Sequence, residues 1–259
     1  MIPSLFIAHG SPMVAIEQSE YAQYLEELGR TFPRPAAIVL FSAHWESRIQ
    51  MVSEIDSYSM IYDFGGFPDE LYRVKYPAKG DKELSREVQR LLSDSGIENR
   101  AELSRGLDHG SWTILNRIYP DADIPLIAMS VNPELTPEEQ YRIGESLAPL
   151  REKDVLIIGS GVTVHNFGLF GVQDKAAVKA LALGFEQWLG DRMAEWDLDS
   201  LFRYEELAPY AKVAVPQQAK EHFVPIFYAM GAADRERTSK RLHLSLMMDA
   251  FTNSVYQYG

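Results

Sequence analysis

The 259-residue chain is 46% apolar, enough to bury the core of one large α/β domain or two small ones. Its 37 acidic residues against 25 Lys and Arg give a formal charge of -12, which argues against a general nucleic-acid or anionic-membrane surface. With no cysteine, it has no disulfide, thiolate nucleophile, iron–sulfur cluster or cysteine zinc site, and only nitrogen and oxygen remain as metal ligands.

The N-terminal Met1-Ile2-Pro3-Ser4 lacks a basic segment, and the apolar run that follows stops at His9-Gly10, too short for a signal peptide or membrane span. A cytoplasmic protein is the expectation. Leu5 to Ala8 and Ala36 to Ser42 read as buried strands. Between them, Ser19 to Thr31 is helical, with Tyr21, Tyr24, Leu25 and Leu28 at helical spacing. The segment Tyr58 to Gly80, rich in Gly, Pro and aromatics, reads as a long loop over the site. Lys82 to Ser95 is an amphipathic helix stopped by Gly96, and Pro125 to Val131 is a strand. Pro137 to Leu150 is a helix with Thr136 as N-cap and Pro137 at its first position. Val155 to Ile158 is a strand leaving through a glycine-rich turn, and Lys175 to Trp196 is a long helix capped by Asp174. No linker or repeat interrupts the alternation. It predicts a single α/β domain over 1–259: a mainly parallel mixed sheet flanked by helices, with the active site at the carboxyl ends of the strands.

Position singles out five histidines. Three apolar strands run into His9, His44 and His165, and side chains just past parallel strands converge in space. His9 lies in His9-Gly10-Ser11-Pro12, where the glycine lets the backbone turn sharply. His44 lies in Ser42-Ala43-His44-Trp45, and His165 follows Gly159-Ser160-Gly161. That glycine-rich exit lacks the lysine and spacing of a phosphate-binding loop. His109, in Arg105-Gly106-Leu107-Asp108-His109-Gly110, sits in a polar turn before a short helix. His222 begins an apolar helical stretch ending near Gly231. His243, between two leucines, has no supporting neighbourhood. Each ring taken singly is read either as a core or surface histidine or as a functional one; together they have the layout of a metal site.

The ordered set His9-Gly10-Ser11-Pro12, Ser42-Ala43-His44-Trp45, Asp63-Phe64-Gly65-Gly66-Phe67-Pro68 with Leu71-Tyr72, Gly106-Leu107-Asp108-His109-Gly110, Gly159-Ser160-Gly161 leading to Val164-His165-Asn166, and Glu221-His222-Phe223 resembles the class III extradiol ring-cleavage dioxygenases, in particular their 4,5-DOPA extradiol dioxygenase-like branch. The resemblance runs in order from about His9 to Gly231. It implies a non-haem metal, Fe(II) for dioxygenase activity and Zn(II) in some isolated members, bound by His9, His44 and His222. His165 matches a position read either as a further ligand or as the acid/base beside the metal. His109 matches a position expected to hydrogen-bond substrate or oxygen. The chain departs from the pattern at Val162, where asparagine is common, and at Gln218-Ala219-Lys220, where proline is often found. The departures bear on substrate more than on metal.

A face of neutral imidazoles leaves coordination positions free for the two oxygens of a catechol and for dioxygen. Iron supplies the redox step; zinc has none. His165, and second to it His109, are the candidates to take the catechol proton and return it during cleavage. Glu221 adjoins His222, so either side chain is a third ligand. Asp108 orients a ring or caps the next helix. Phe64-Gly65-Gly66-Phe67 offers an aromatic wall to a flat ring. Arg105 either pairs with a substrate carboxylate or is a solvated loop residue. The expected partners are a small-molecule catechol and O2, with no nucleic acid and no membrane; the sequence assigns no oligomeric state. Two other function classes use the same scaffold, a zinc hydrolase and a non-enzymatic binding protein.

Overall fold

A computed structural model describes residues 1–259. Eight strands form one mixed sheet in the order β4-β3-β5-β2-β6-β1-β8-β7. They are β1 Ser4–Ala8, β2 Ala37–Glu46, β3 Gln50–Ser53, β4 Asn99–Glu102, β5 Leu126–Val131, β6 Val155–Gly161, β7 Ser239–Met247 and β8 Phe251–Tyr258. The central four, β5-β2-β6-β1, are parallel, as the alternation of strands and helices predicts. Antiparallel pairing enters where β3 meets β5 and along the C-terminal hairpin, where β8 joins β1 with Ser4 opposite Tyr258.

The central strands are buried on both faces, which is why they read as continuous apolar runs. Side chains alternate between the two faces. Ile38 and Leu40 of β2 join Leu5, Ile7 and Ile158 on one face, under α1 (Glu20–Thr31) and α3 (His109–Ile118). Val39, Phe41 and Ile157 join the opposite core with α2 (Lys82–Asp94), α4 (Pro137–Ser146) and α10 (Pro225–Gly231). Caps set the helix ends: the Ser19, Asp81 and Asp174 side chains accept backbone N–H bonds at the starts of α1, α2 and α5 (Lys175–Ala194). Thr136 and Glu139 form a full capping box on α4. Between α5 and α10 the chain makes four short helices, α6 (Leu198–Phe202), α7 (Tyr204–Leu207), α8 (Ala211–Ala214) and α9 (Lys220–Phe223).

Several boundaries differ from expectation, β2 among them, which runs on to Glu46 rather than ending at Ser42. The helix predicted over Pro137 to Leu150 ends at Ser146 and tightens into a 3₁₀ turn, Ala148–Lys153, with Pro149 inside it. The long helix stops at Ala194, and Trp196 has φ 54°. The glycine-rich segment after Ile158 is strand, not turn: β6 continues through Gly161. A Cβ on Gly159 would lie 2.1 Å from the Pro225 carbonyl oxygen, and one on Gly161 2.1 Å from that of His222. These glycines therefore let the α9–α10 backbone press onto the sheet. No helix is long and apolar enough to cross a membrane.

Candidate active site and metal centre

The parallel strands β1, β2 and β6 end at one edge of the sheet, and the histidines gather there. His9 follows β1 directly. His44 lies inside β2, where the register with β5 shifts between Phe41 and Glu46; such an irregularity re-aims side chains. His165 lies past β6, its N–H bonded to the Ala214 carbonyl. His109 is the first residue of α3 and His222 lies on α9, seated by a 2.7 Å bond from the Val162 N–H to its own carbonyl. The long segment Tyr58 to Gly80 contributes Asp63, Phe64 and Phe67 to the cavity that the histidines floor.

Ligand atoms of His9, His44 and His222 all lie within 4.8 Å of one another, a group that could hold a metal ion. Hydrogen bonds assign the tautomers of His9 and His222, and a facing carboxylate biases that of His44. The Ser160 hydroxyl donates to the Gly110 carbonyl, so Ser160 Oγ accepts from His9 Nδ1 at 3.2 Å. His222 Nδ1 donates to Glu221 Oε1 at 2.7 Å, and His44 Nδ1 faces Asp63 Oδ2 at 3.4 Å. His9 and His222 thus present their Nε2 lone pairs inward, and the facing Asp63 carboxylate favours the same tautomer at His44. His9 Nε2 and His44 Nε2 stand only 3.2 Å apart. Two lone pairs so close repel unless a cation lies between them, and about 3 Å is the spacing of adjacent nitrogens bound at ~2.1 Å to one ion. The donor set fits a metal.

Protonation favours the same state. Burial, then repulsion from His44, holds His9 well below the ordinary imidazole value. Burial likewise pushes His44, His222 and His165 down to about 3, assisted by His109 at the first two and by His222 at the last. All four are neutral near pH 7, the form that binds metals.

His165 stands outside the three-residue group. Its ring stacks flat on His222, centroids 3.7 Å apart and 10° between planes, and its Nδ1 is buried with no partner. Glu221 holds the His222 Nδ1, and burial raises its carboxyl above the usual range. Asp108 caps α3 by accepting from the Ser111 N–H at 3.2 Å, and also accepts from Ser42 Oγ at 2.6 Å. Arg105 does not line the cavity, and its side chain is only 27% exposed. Its Nη2 donates to the His44 carbonyl at 2.9 Å and to Asp108 at 3.3 Å, and its guanidinium covers the Trp45 ring.

Asp63 is the residue that sequence reasoning did not single out. Its Oδ1 accepts both the backbone N–H and the ring Nδ1 of His109, at 3.0 and 2.9 Å, while Oδ2 faces His44. One carboxylate therefore orients two rings. Burial works to raise its pKa, yet the bonds from His109 outweigh burial and hold it at about 2. The only signal in the sequence was its place ahead of Phe64-Gly65-Gly66-Phe67. The histidines floor a cavity of about 810 Å³ whose walls carry Phe64 and Phe67 on one side and Phe167, Phe170 and Phe251 on the other.

The fold and site together give an α/β sheet that carries, at its carboxyl edge, a histidine cluster able to hold a metal ion. Residues 3–256 match the family described as the catalytic LigB subunit of aromatic ring-opening dioxygenase, and the chain belongs to that family. It is 40% identical to a 4,5-DOPA dioxygenase extradiol of Beta vulgaris over 99% of this chain and 94% of the relative. A protein of the same name from Escherichia coli K12 is 33% identical over 90% of this chain and 86% of the relative. The crystal structure of an uncharacterized protein from Escherichia coli K12 superposes with a TM-score of 0.82 at 28% identity, covering 100% of both chains.

Proposed function

We propose that the whole chain is one catalytic domain performing extradiol cleavage of a single-ring catechol with O2, DOPA being the catechol in the names of its relatives. The observation that carries the reading is the convergence of three inward Nε2 lone pairs beneath an aromatic-walled cavity. His9, His44 and His222 would hold Fe(II). Bound there, Fe(II) supplies the electron transfer between catechol and dioxygen, chemistry that Zn(II) lacks.

The remaining steps belong to the protein. Ser160, Asp63 and Glu221 fix the three ligand rings. His165, neutral and with an unpartnered nitrogen beside the centre, takes a proton from the catechol and returns it as the ring opens. His109, held by Asp63 through Nδ1, keeps Nε2 free to accept from a substrate hydroxyl. The Phe64 and Phe67 rings pack the substrate and exclude water. Both oxygen atoms enter the product, the carbon–carbon bond beside the diol breaks, and the product is a muconic semialdehyde. Anaerobic loading with Fe(II), then a catechol and air, should give a yellow ring-opened product; Zn(II)-loaded protein should give none. Absence of product from protein shown to hold Fe(II) overturns the reading.

A further inference from the structure

The wall beside His165 is apolar well beyond what one catechol ring covers. Phe251 packs on the His165 ring at 4.8 Å, and Phe167 and Phe170 extend the surface from it at 5.1 and 4.8 Å. At the mouth, Phe167 and Met248 are each 67% exposed. Large apolar side chains left in water beside a cavity mark a binding surface. Met248 is placed there at a cost. It and Asp249 form the β7–β8 turn, closed by the Ala250 N–H on the Met247 carbonyl, with φ values of 53° and 58°. That backbone favours Asn or Gly and disfavours methionine. Strain of this kind, with no packing in return, points to a role at the site.

Charge makes the second half of the argument. No Lys or Arg lines the cavity, and its only formal charges are Asp63 and Glu221, both acidic and both engaged with histidines. Arg105 is turned away to the His44 carbonyl and Asp108. A substrate carboxylate finds no cation there, whereas an alkyl or aryl substituent finds a continuous apolar wall. The cavity of about 810 Å³ lies in the range that encloses ligands much larger than a catechol ring.

Building on the dioxygenase reading, we infer that the pocket selects catechols carrying an extended uncharged apolar substituent over those carrying a carboxylate, with Phe167, Phe170, Phe251 and Met248 as the selecting surface. The test is calorimetric binding to the Zn(II)-loaded protein, which does not turn over, of 4-methylcatechol, 4-hexylcatechol and 3,4-dihydroxyphenylacetate. Each fully buried methylene tightens binding about 4-fold, so the partly open wall should favour hexyl over methyl by about 10-fold or more. The carboxylate should bind more weakly than 4-methylcatechol. Met248→Ser and Phe167→Ser, both at exposed positions that the fold tolerates, should shrink the hexyl-to-methyl ratio. A ratio near one, a carboxylate that binds as tightly as 4-methylcatechol or more so, or a ratio unmoved in both variants overturns the inference. Ring cleavage of 4-methylcatechol by the Fe(II)-loaded protein reports separately. Cleavage without the chain-length preference removes this inference alone, and the preference without cleavage removes the dioxygenase reading alone.

Discussion

Gly161→Ala tests whether the close approach of α9 to the sheet places His222. The new Cβ would lie 2.1 Å from the His222 carbonyl oxygen and 3.1 Å from Pro225 Cγ, where 3.4 Å is ordinary contact. The α9 backbone must therefore retreat by about 1.3 Å, taking with it the 2.7 Å bond from the Val162 N–H. Overpacking of this size costs about 1–3 kcal/mol, which for a chain of this length lowers Tm by about 2–12 °C. Moving a ligand ring by this much should weaken metal binding by about 10–100-fold. The assay pairs thermal melts of metal-free protein with metal titration against a chromophoric chelator. Gly65→Ala, where a Cβ meets nothing within 4 Å, is the neutral control. Gly159→Ala, with its clash at Pro225, should destabilise comparably but weaken metal binding less. Wild-type metal affinity in Gly161→Ala would refute the argument that this glycine sets the position of His222.

His9→Ala or His44→Ala should abolish most metal binding by elemental analysis while far-UV dichroism stays native; full occupancy in both would show that the facing nitrogens are not ligands. His165→Ala should keep its metal and bind catechol, yet lose about 10²–10⁴-fold in kcat, and loss of the metal would make His165 a ligand instead. Asp63→Asn, which weakens the hold on two rings at once, should lower metal affinity by about 10-fold or more, and an unchanged titration would confine Asp63 to the loop. Arg105→Ala should lower stability by about 1–3 kcal/mol through its lost bonds to the His44 carbonyl and Asp108, and reduce kcat/KM for DOPA and dopamine alike. A loss confined to DOPA would place Arg105 in the pocket after all.

The parallel core was legible because strands buried on both faces leave unbroken apolar runs, and capped amphipathic helices separate them. The C-terminal hairpin was hidden for the opposite reason. Thr252, Asn253 and Ser254 in β8 are polar yet buried, with Thr252 accepting from the Val164 N–H and bonding Thr163, so hydropathy misreads the strand. Its turn, Met248-Asp249, lacks the glycine or asparagine that announces a hairpin most strongly, and Asp249 alone is a weak signal. The alternation of Leu242, Leu244 and Leu246 in β7 was the signal that remained. At the site, the apolar runs pointed to His9, His44 and His165, although His44 lies within β2 rather than past its end. Asp63 escaped notice because a carboxylate in a long loop gives no hint of which rings it will meet. The glycines of β6 suggested a turn, since sequence does not reveal the helix backbone pressing against them.

The pairing of β1 with β8 also dictates when the molecule can be completed. The first strand acquires one neighbour only when β6 has been made, and the other only when β8 has been made. Until then the segment that carries His9 has an open edge, the kind of surface on which nascent chains misassociate. The order of synthesis thus runs against the order of assembly. Pairings between strands so far apart in sequence make folding slow, and the histidine centre, which draws on β1, β2, β6 and α9 together, is a late product of it.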